Sequence, residues 1–212
     1  MNKKQLLFVV AFCITTCLLY AQNELSKSES NFKGGFRLGF TASQISGDNL
    51  GGYNKLGGYA GGFVNFPLTK DLRWMFQFEI NFMMKGSSTF AKLSPDGLPE
   101  DSYVLTLFYT ESPFLVRWKV FKGIVLELGP ALNFLCYEEE RINGNTEVGR
   151  QPFRFYEIAI IAGASYFFKA HWGINFRWSS SILPVRVPNF VYNRSVKKQF
   201  NDSLALSLYY QF

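Results

Sequence analysis

Strict two-residue alternation, sustained over long stretches, constrains this chain more than any other feature of its sequence. From Leu72 to Lys85 the even positions are Leu72, Trp74, Phe76, Phe78, Ile80, Phe82 and Met84. The odd positions are Arg73, Met75, Gln77, Glu79, Asn81, Met83 and Lys85. Successive side chains of an extended strand point to opposite faces, so one face is wholly apolar and the other mostly polar. A helix would scatter the same residues around its axis. The run is also long, since strands of globular sheets average about five or six residues.

The pattern recurs in eight segments, at roughly 33–46, 56–66, 72–86, 102–118, 123–137, 152–167, 171–186 and 200–212. In the first, Phe36, Leu38, Phe40 and Ala42 oppose Arg37, Gly39, Thr41 and Ser43. In the seventh, Trp172, Ile174, Phe176 and Trp178 oppose Gly173, Asn175, Arg177 and Ser179. In the last, Leu204, Leu206, Leu208, Tyr210 and Phe212 oppose Ser203, Ala205, Ser207, Tyr209 and Gln211. The second segment, LGGYAGGFVNF, is so rich in glycine that its facing stays open. The links alternate too. Pro67–Asp71, Lys119–Lys122 and Phe168–Ala170 are short, whereas Gly47–Lys55, Ser87–Asp101, Glu138–Gln151 and Val187–Gln199 are long and polar. Such alternation makes successive strands antiparallel neighbours with the long loops gathered at one end, the pattern of barrels that cross a membrane. The expected fold is therefore all-β, an eight-stranded antiparallel up-and-down transmembrane β-barrel.

Residues 1–22 read as a secretory signal peptide. Lys3 and Lys4 form a basic start, Leu6 to Tyr20 an apolar run, and the cleavage point falls near Ala21–Gln22. Residues 23–31 are a polar, flexible lead, and 32–212 the barrel domain. Loss of the leader lowers the net charge from +6 to +4 by removing the two lysines, and it leaves Cys136 as the one thiol. With no Lys/Arg cluster, the chain carries no signal for nucleic acid. The aromatic content, 23 Phe, 11 Tyr and 4 Trp, excludes disorder. Outside the leader no apolar run reaches the length of a spanning helix, about 20 residues.

Alternation alone does not say which face is outside. In a lipocalin-like barrel or a sandwich the apolar face turns inward. Three features favour the reverse. Bulky aromatics near strand ends (Trp74, Trp118, Trp172, Tyr210, Phe212) suit membrane-interface girdles. The polar face carries Arg37, Arg73, Lys85, Arg117 and Arg177 with Glu79, Glu111, Glu127 and Glu157. Charges of both signs inside a barrel just wide enough for side chains must pair. We therefore expect a salt-bridged lumen, a plugged barrel rather than a wide pore. Finally, Tyr210 and Phe212 on an alternating last strand resemble the signal read by the barrel-assembly machinery of the bacterial outer membrane.

Several stretches resemble the PorT-like outer-membrane β-barrel family of Bacteroidetes-type bacteria, across about residues 32–212. They are the first-strand FRLGF, GGFVNFPLT of the second segment, and FEINFMMKG with Glu79, Lys85 and Gly86. Further matches are Glu111-Ser112-Pro113, Leu128-Gly129-Pro130, Tyr156-Glu157 with Gly163, and Arg177-Trp178-Ser179. Glu157 replaces a usual Asp, Trp178 a Tyr, and Ser165 a common Gly. The resemblance implies a barrel in the outer membrane. The family's founding member is linked to a secretion apparatus that exports proteases.

Chemistry is sparse by comparison. His171, the sole histidine, lies on a short link and offers no nucleophile–base pair. The glycines from Gly57 to Gly62 precede neither a helix nor a Gly-Lys-Ser/Thr. Glu138, Glu139 and Glu140 lack the ligand spacing of a calcium cage and read as a solvated loop run. Cys136 reads as a small apolar residue. The expectation is a protein that is not an enzyme, needs no cofactor and holds no metal. Its partners would be outer-membrane lipid, the barrel-assembly machinery and a protein recognised by the long outer loops. The alternative is a small transport or channel component.

Overall fold

The computed structural model describes residues 32–47, 52–89, 102–146, 152–186 and 198–212. The leader and lead, residues 1–31, lie outside them, as do the middles of the four long loops. From Lys33 on, nine strands form: β1 (Lys33–Ser46), β2 (Lys55–Pro67), β3 (Trp74–Ser88), β4 (Tyr103–Phe121), β5 (Ile124–Ile142), β6 (Asn145–Thr146), β7 (Tyr156–Phe167), β8 (Trp172–Ser181) and β9 (Phe200–Gln211). β6 is a two-residue return paired to the end of β5. The other eight are staves, each antiparallel to its sequence neighbours, and β9 pairs with β1 from Gly35↔Gln211 to Ser46↔Phe200. That last ladder closes the sheet. Closure leaves no edge, so the wall satisfies its own backbone groups in a medium without water.

The pleat sorts side chains as the alternation predicts. On β3, Gln77, Glu79, Asn81, Met83 and Lys85 are buried inside, while Trp74 and Phe82 stand exposed outside. On β1, Leu38 is 66% and Phe40 76% exposed, against 1% for Arg37 and Thr41, which flank them. Among the described residues the interior carries all the buried charges and the exterior is apolar. Such a skin would aggregate in water and suits the hydrocarbon of a bilayer. No described helix is long and apolar enough to cross a membrane; the staves cross instead. β2 also resolves. Tyr59, Phe63 and Asn65 point inward, and Gly58 and Gly62 outward.

Four stretches depart from the sequence reading. First, the third segment starts two residues late. Leu72 has φ 55°, which breaks the extended phase and leaves Arg73 in the turn before β3. Asp71 shapes that turn by accepting from the Thr69 hydroxyl and from the Arg73 N–H, and these contacts hold its carboxyl below the usual carboxylate range. Second, β5 runs on to Ile142, so Glu138, Glu139 and Glu140 belong to a strand and not to a loop. The register slips from Tyr109↔Leu135 to Phe108↔Tyr137, which makes Cys136 a bulge residue. A bulge adds one residue to one strand and inverts the phase beyond it. Cys136 is accordingly exposed, with Sγ 3.3 Å from the Thr110 hydroxyl, and Glu140 turns inward. Third, the sixth segment becomes a strand only at Tyr156. Its first residues, 152–155, instead bring Phe153 into the barrel mouth, and Arg154 N–H donates to Val185 O at 2.8 Å. Fourth, the seventh ends at Ser181, after which a single Arg186↔Gln199 bridge ties the returning chain.

Candidate functional site: the charged lumen

The lumen is built in layers, because each inward position of a stave sits beside inward positions of its neighbours. Nearest the short turns, Tyr209 stacks on Phe63 with centroids 4.2 Å apart and meets Phe167 edge-on at 5.2 Å. Arg117 lies over the Tyr209 ring. Its Nη1 donates to Gln77 and to the Tyr209 hydroxyl, both at 2.7 Å, and to Asn65 at 3.2 Å. Its Nε lies 3.5 Å from Glu127.

Glu79 organises the middle layer. Its two carboxylate oxygens accept from both terminal nitrogens of Arg177, at 2.6 and 2.7 Å, in a fork-to-fork pair. Arg37 Nη2 donates to the same carboxylate at 2.8 Å, Asn81 adds a bond at 2.8 Å, and Gln77 also donates to it. Arg177 Nε donates to Glu127, and its Nη1 to the Tyr59 hydroxyl at 2.9 Å. Asn175 bridges the set, accepting from Arg37 and donating to Glu127. Two glycines make room. A Cβ on Gly61 would stand 2.0 Å from Asn81 Oδ1, and one on Gly163 would stand 2.8 Å from Glu127 Oε1.

Toward the loops the third layer centres on Lys85, 2.9 Å from Glu157 and 3.8 Å from Glu111. Asn133 and Asn201 also donate to Glu157. Above it an apolar stopper of Ile45, Leu105, Leu107, Phe153 and Val185 fills the mouth. Arg186 lies 4.0 Å from the Phe153 ring and 3.1 Å from Glu140, which also accepts from the Tyr103 hydroxyl.

The structure places Arg37, Glu79, Lys85, Glu111, Arg117, Glu127, Glu157 and Arg177 inside the wall, each nearly inaccessible. Arg73 does not join them: it projects from its turn and pairs with Asp71 at 3.4 Å, both largely exposed. Without Arg73 the lumen set has four cations and four anions, so it is neutral. Neutrality matters because an unpaired buried charge costs several kcal/mol. The Glu140–Arg186 pair and the tyrosine and asparagine bridges escaped sequence reasoning. For Glu140 the bulge at Cys136 hid the facing; for the bridges, the inward phase of β2 and β9 carried the available signal. His171 sits in the β7–β8 turn, its Nδ1 2.7 Å from Gln211 O and its ring beside Tyr210. Tyr210 packs outside against Phe36 and Trp172, and Phe212 is exposed. Among the described residues no group of three or more His, Cys, Asp or Glu could hold a metal ion.

A cavity of about 10 Å³ beside Glu111, Arg177 and Ser203 is the size of a single water site. The arrangement ties facing staves of the wall together from within.

Closed antiparallel topology, an apolar skin and a charged, filled interior define a transmembrane β-barrel of the bacterial outer-membrane class. Residues 20–185 match the family described as outer membrane protein beta-barrel domain, and the chain belongs to that family. Its location is the outer membrane. No curated protein matches the chain in sequence. Among solved structures it is similar to the attachment invasion locus protein Ail of Yersinia pestis, at 12% identity and a TM-score of 0.47, covering 87% of this chain and 100% of that one. It is also similar to Neisserial surface protein A, at 11% identity and a TM-score of 0.48, covering 86% and 98%. For OprG of Pseudomonas aeruginosa the identity is 12% and the TM-score 0.36, covering 85% and 94%.

Proposed function

We propose that this protein is a plugged outer-membrane barrel that acts as a non-catalytic scaffold, presenting its long loops to a protein partner. The observation that carries the reading is the filled lumen: a neutral, cross-bonded charge network closed by aromatics at the turn end and by the Phe153–Val185 stopper at the loop end. A rigid stave set is the usual base for recognition loops. The resemblance to PorT-like barrels suggests an accessory role in protein secretion, and the affinity-capture test is recovery of partners from detergent-solubilised outer membranes. The leader is cleaved near Ala21–Gln22 in this reading, which N-terminal sequencing of the mature protein checks. Tyr210 and Phe212 serve as the assembly signal.

Planar-bilayer recording separates the scaffold from a small channel. The scaffold gives no discrete current; a steady current altered by Glu79→Ala favours the channel. The stopper is the observation that keeps the channel reading specific, since displacing Phe153 is the motion it would need.

A further inference from the structure

The lumen is neutral, and among the described residues the loop-side ends nearly balance, with five bases (Lys55, Arg141, Arg154, Arg186 and Lys198) against four acids (Glu138, Glu139, Glu140 and Asp202). The positive excess among the described residues therefore lies mainly at the turn end. Lys33 at the start of β1, Lys70 and Arg73 in the β2–β3 turn, Lys119 and Lys122 at the β4–β5 turn and Lys169 in the β7–β8 turn are all exposed. Asp71 is the one acid among the described residues there. None of the five lysines has an ion-pair partner among the described residues.

These cations are held on a fixed ring. Lys119 N–H donates to Arg73 O at 2.8 Å, joining the first two turns. Phe167 N–H donates to Gly123 O at 2.7 Å, joining the second and third. Gln211 N–H to His171 O at 2.8 Å and Phe212 N–H to Gly34 O at 3.0 Å carry the ring round to β1. Directly on its membrane side stand aromatics that mark the interface, including the stacked Trp74–Trp118 pair with centroids 5.6 Å apart and Trp172 edge-on to Tyr210. Cations one step beyond an aromatic girdle sit at the depth of lipid phosphates.

We propose that this rim binds anionic phospholipid headgroups of the leaflet at the turn end, most strongly between the adjoining β2–β3 and β4–β5 turns, at Lys70, Arg73, Lys119 and Lys122. A soluble partner would meet one side of the barrel. Cations distributed at every turn, one step beyond the girdle, fit the surrounding lipid annulus instead. The attraction is electrostatic and weakens with salt.

The test uses the full barrel in nanodiscs of equimolar phosphatidylglycerol and phosphatidylcholine with matched acyl chains. Lipid retained after stepwise detergent exchange is measured by mass spectrometry. The wild type is expected to retain phosphatidylglycerol about threefold over phosphatidylcholine, less in high salt. The triple variant Arg73→Gln, Lys119→Gln, Lys122→Gln is expected to lose the preference, and the loop-side triple Arg141→Gln, Arg154→Gln, Lys198→Gln to keep it. Heat-modifiable gel migration verifies that each variant is folded. Equal retention of both lipids by the wild type, or an unchanged preference in the turn-side triple, overturns the proposal. So does sedimentation with purified peptidoglycan that is lost in the turn-side triple while no lipid preference exists, which would assign the rim to the cell wall.

Discussion

Arg177 and Arg73 are the same residue in opposite surroundings. Inside the barrel Arg177 forks onto Glu79, reaches Glu127 and Tyr59, and is shielded from solvent. On the turn rim Arg73 touches Asp71 while most of its surface stays in water. The first pair sits where water offers no substitute, and the second where water competes for every contact. Burial, and not the presence of opposite charges, decides which ion pairs hold this wall together.

Substitutions can break or sharpen that contrast. The largest effect is expected from Glu79→Ala, which strips Arg37 of its ion-pair partner and leaves Arg177 with Glu127 alone. A cost of about 3–5 kcal/mol should appear as a lower urea midpoint for refolding into lipid vesicles, followed by gel migration. Next comes Arg177→Lys, which keeps the charge but loses the fork, and about 2–3 kcal/mol is expected from the same assay. Arg186→Ala at the mouth removes one partner of Glu140, and about 1–2 kcal/mol is expected because nearby solvent repairs part of the loss. Arg73→Ala should leave the midpoint unchanged. A cost for Arg73→Ala rivalling that of Arg177→Lys would erase the distinction between the two regions.

Much of the architecture was legible because one physical rule, the pleat, writes itself into sequence. β1, β3, β8 and β9 show it without interruption, and their inward charges could be read residue by residue. The rule fails where the backbone leaves the extended phase. A positive φ at Leu72 put Arg73 outside, and the extra residue at Cys136 turned Glu140 inside. On β2 the glycines removed the side chains that would have shown the phase. Partner choice was not legible at all. Glu79 and Arg177 lie 98 positions apart and meet across the lumen, a matter of barrel closure and stave stagger that no local pattern records. The stopper was hidden for a related reason: Phe153 lies in a stretch that reads as strand but bends inward to bond Glu138 and Val185.

The central claim is that the interior is a solid, paired core and not an aqueous passage. Thiol labelling of Ser203→Cys and Ser165→Cys, each in a Cys136→Ser background in lipid vesicles, tests it most directly. Both positions are buried on the inner face. A membrane-impermeant maleimide should leave both unmodified while a Lys169→Cys control on the exposed turn reacts fully. Rapid labelling of either lumen position in the folded protein would contradict the account.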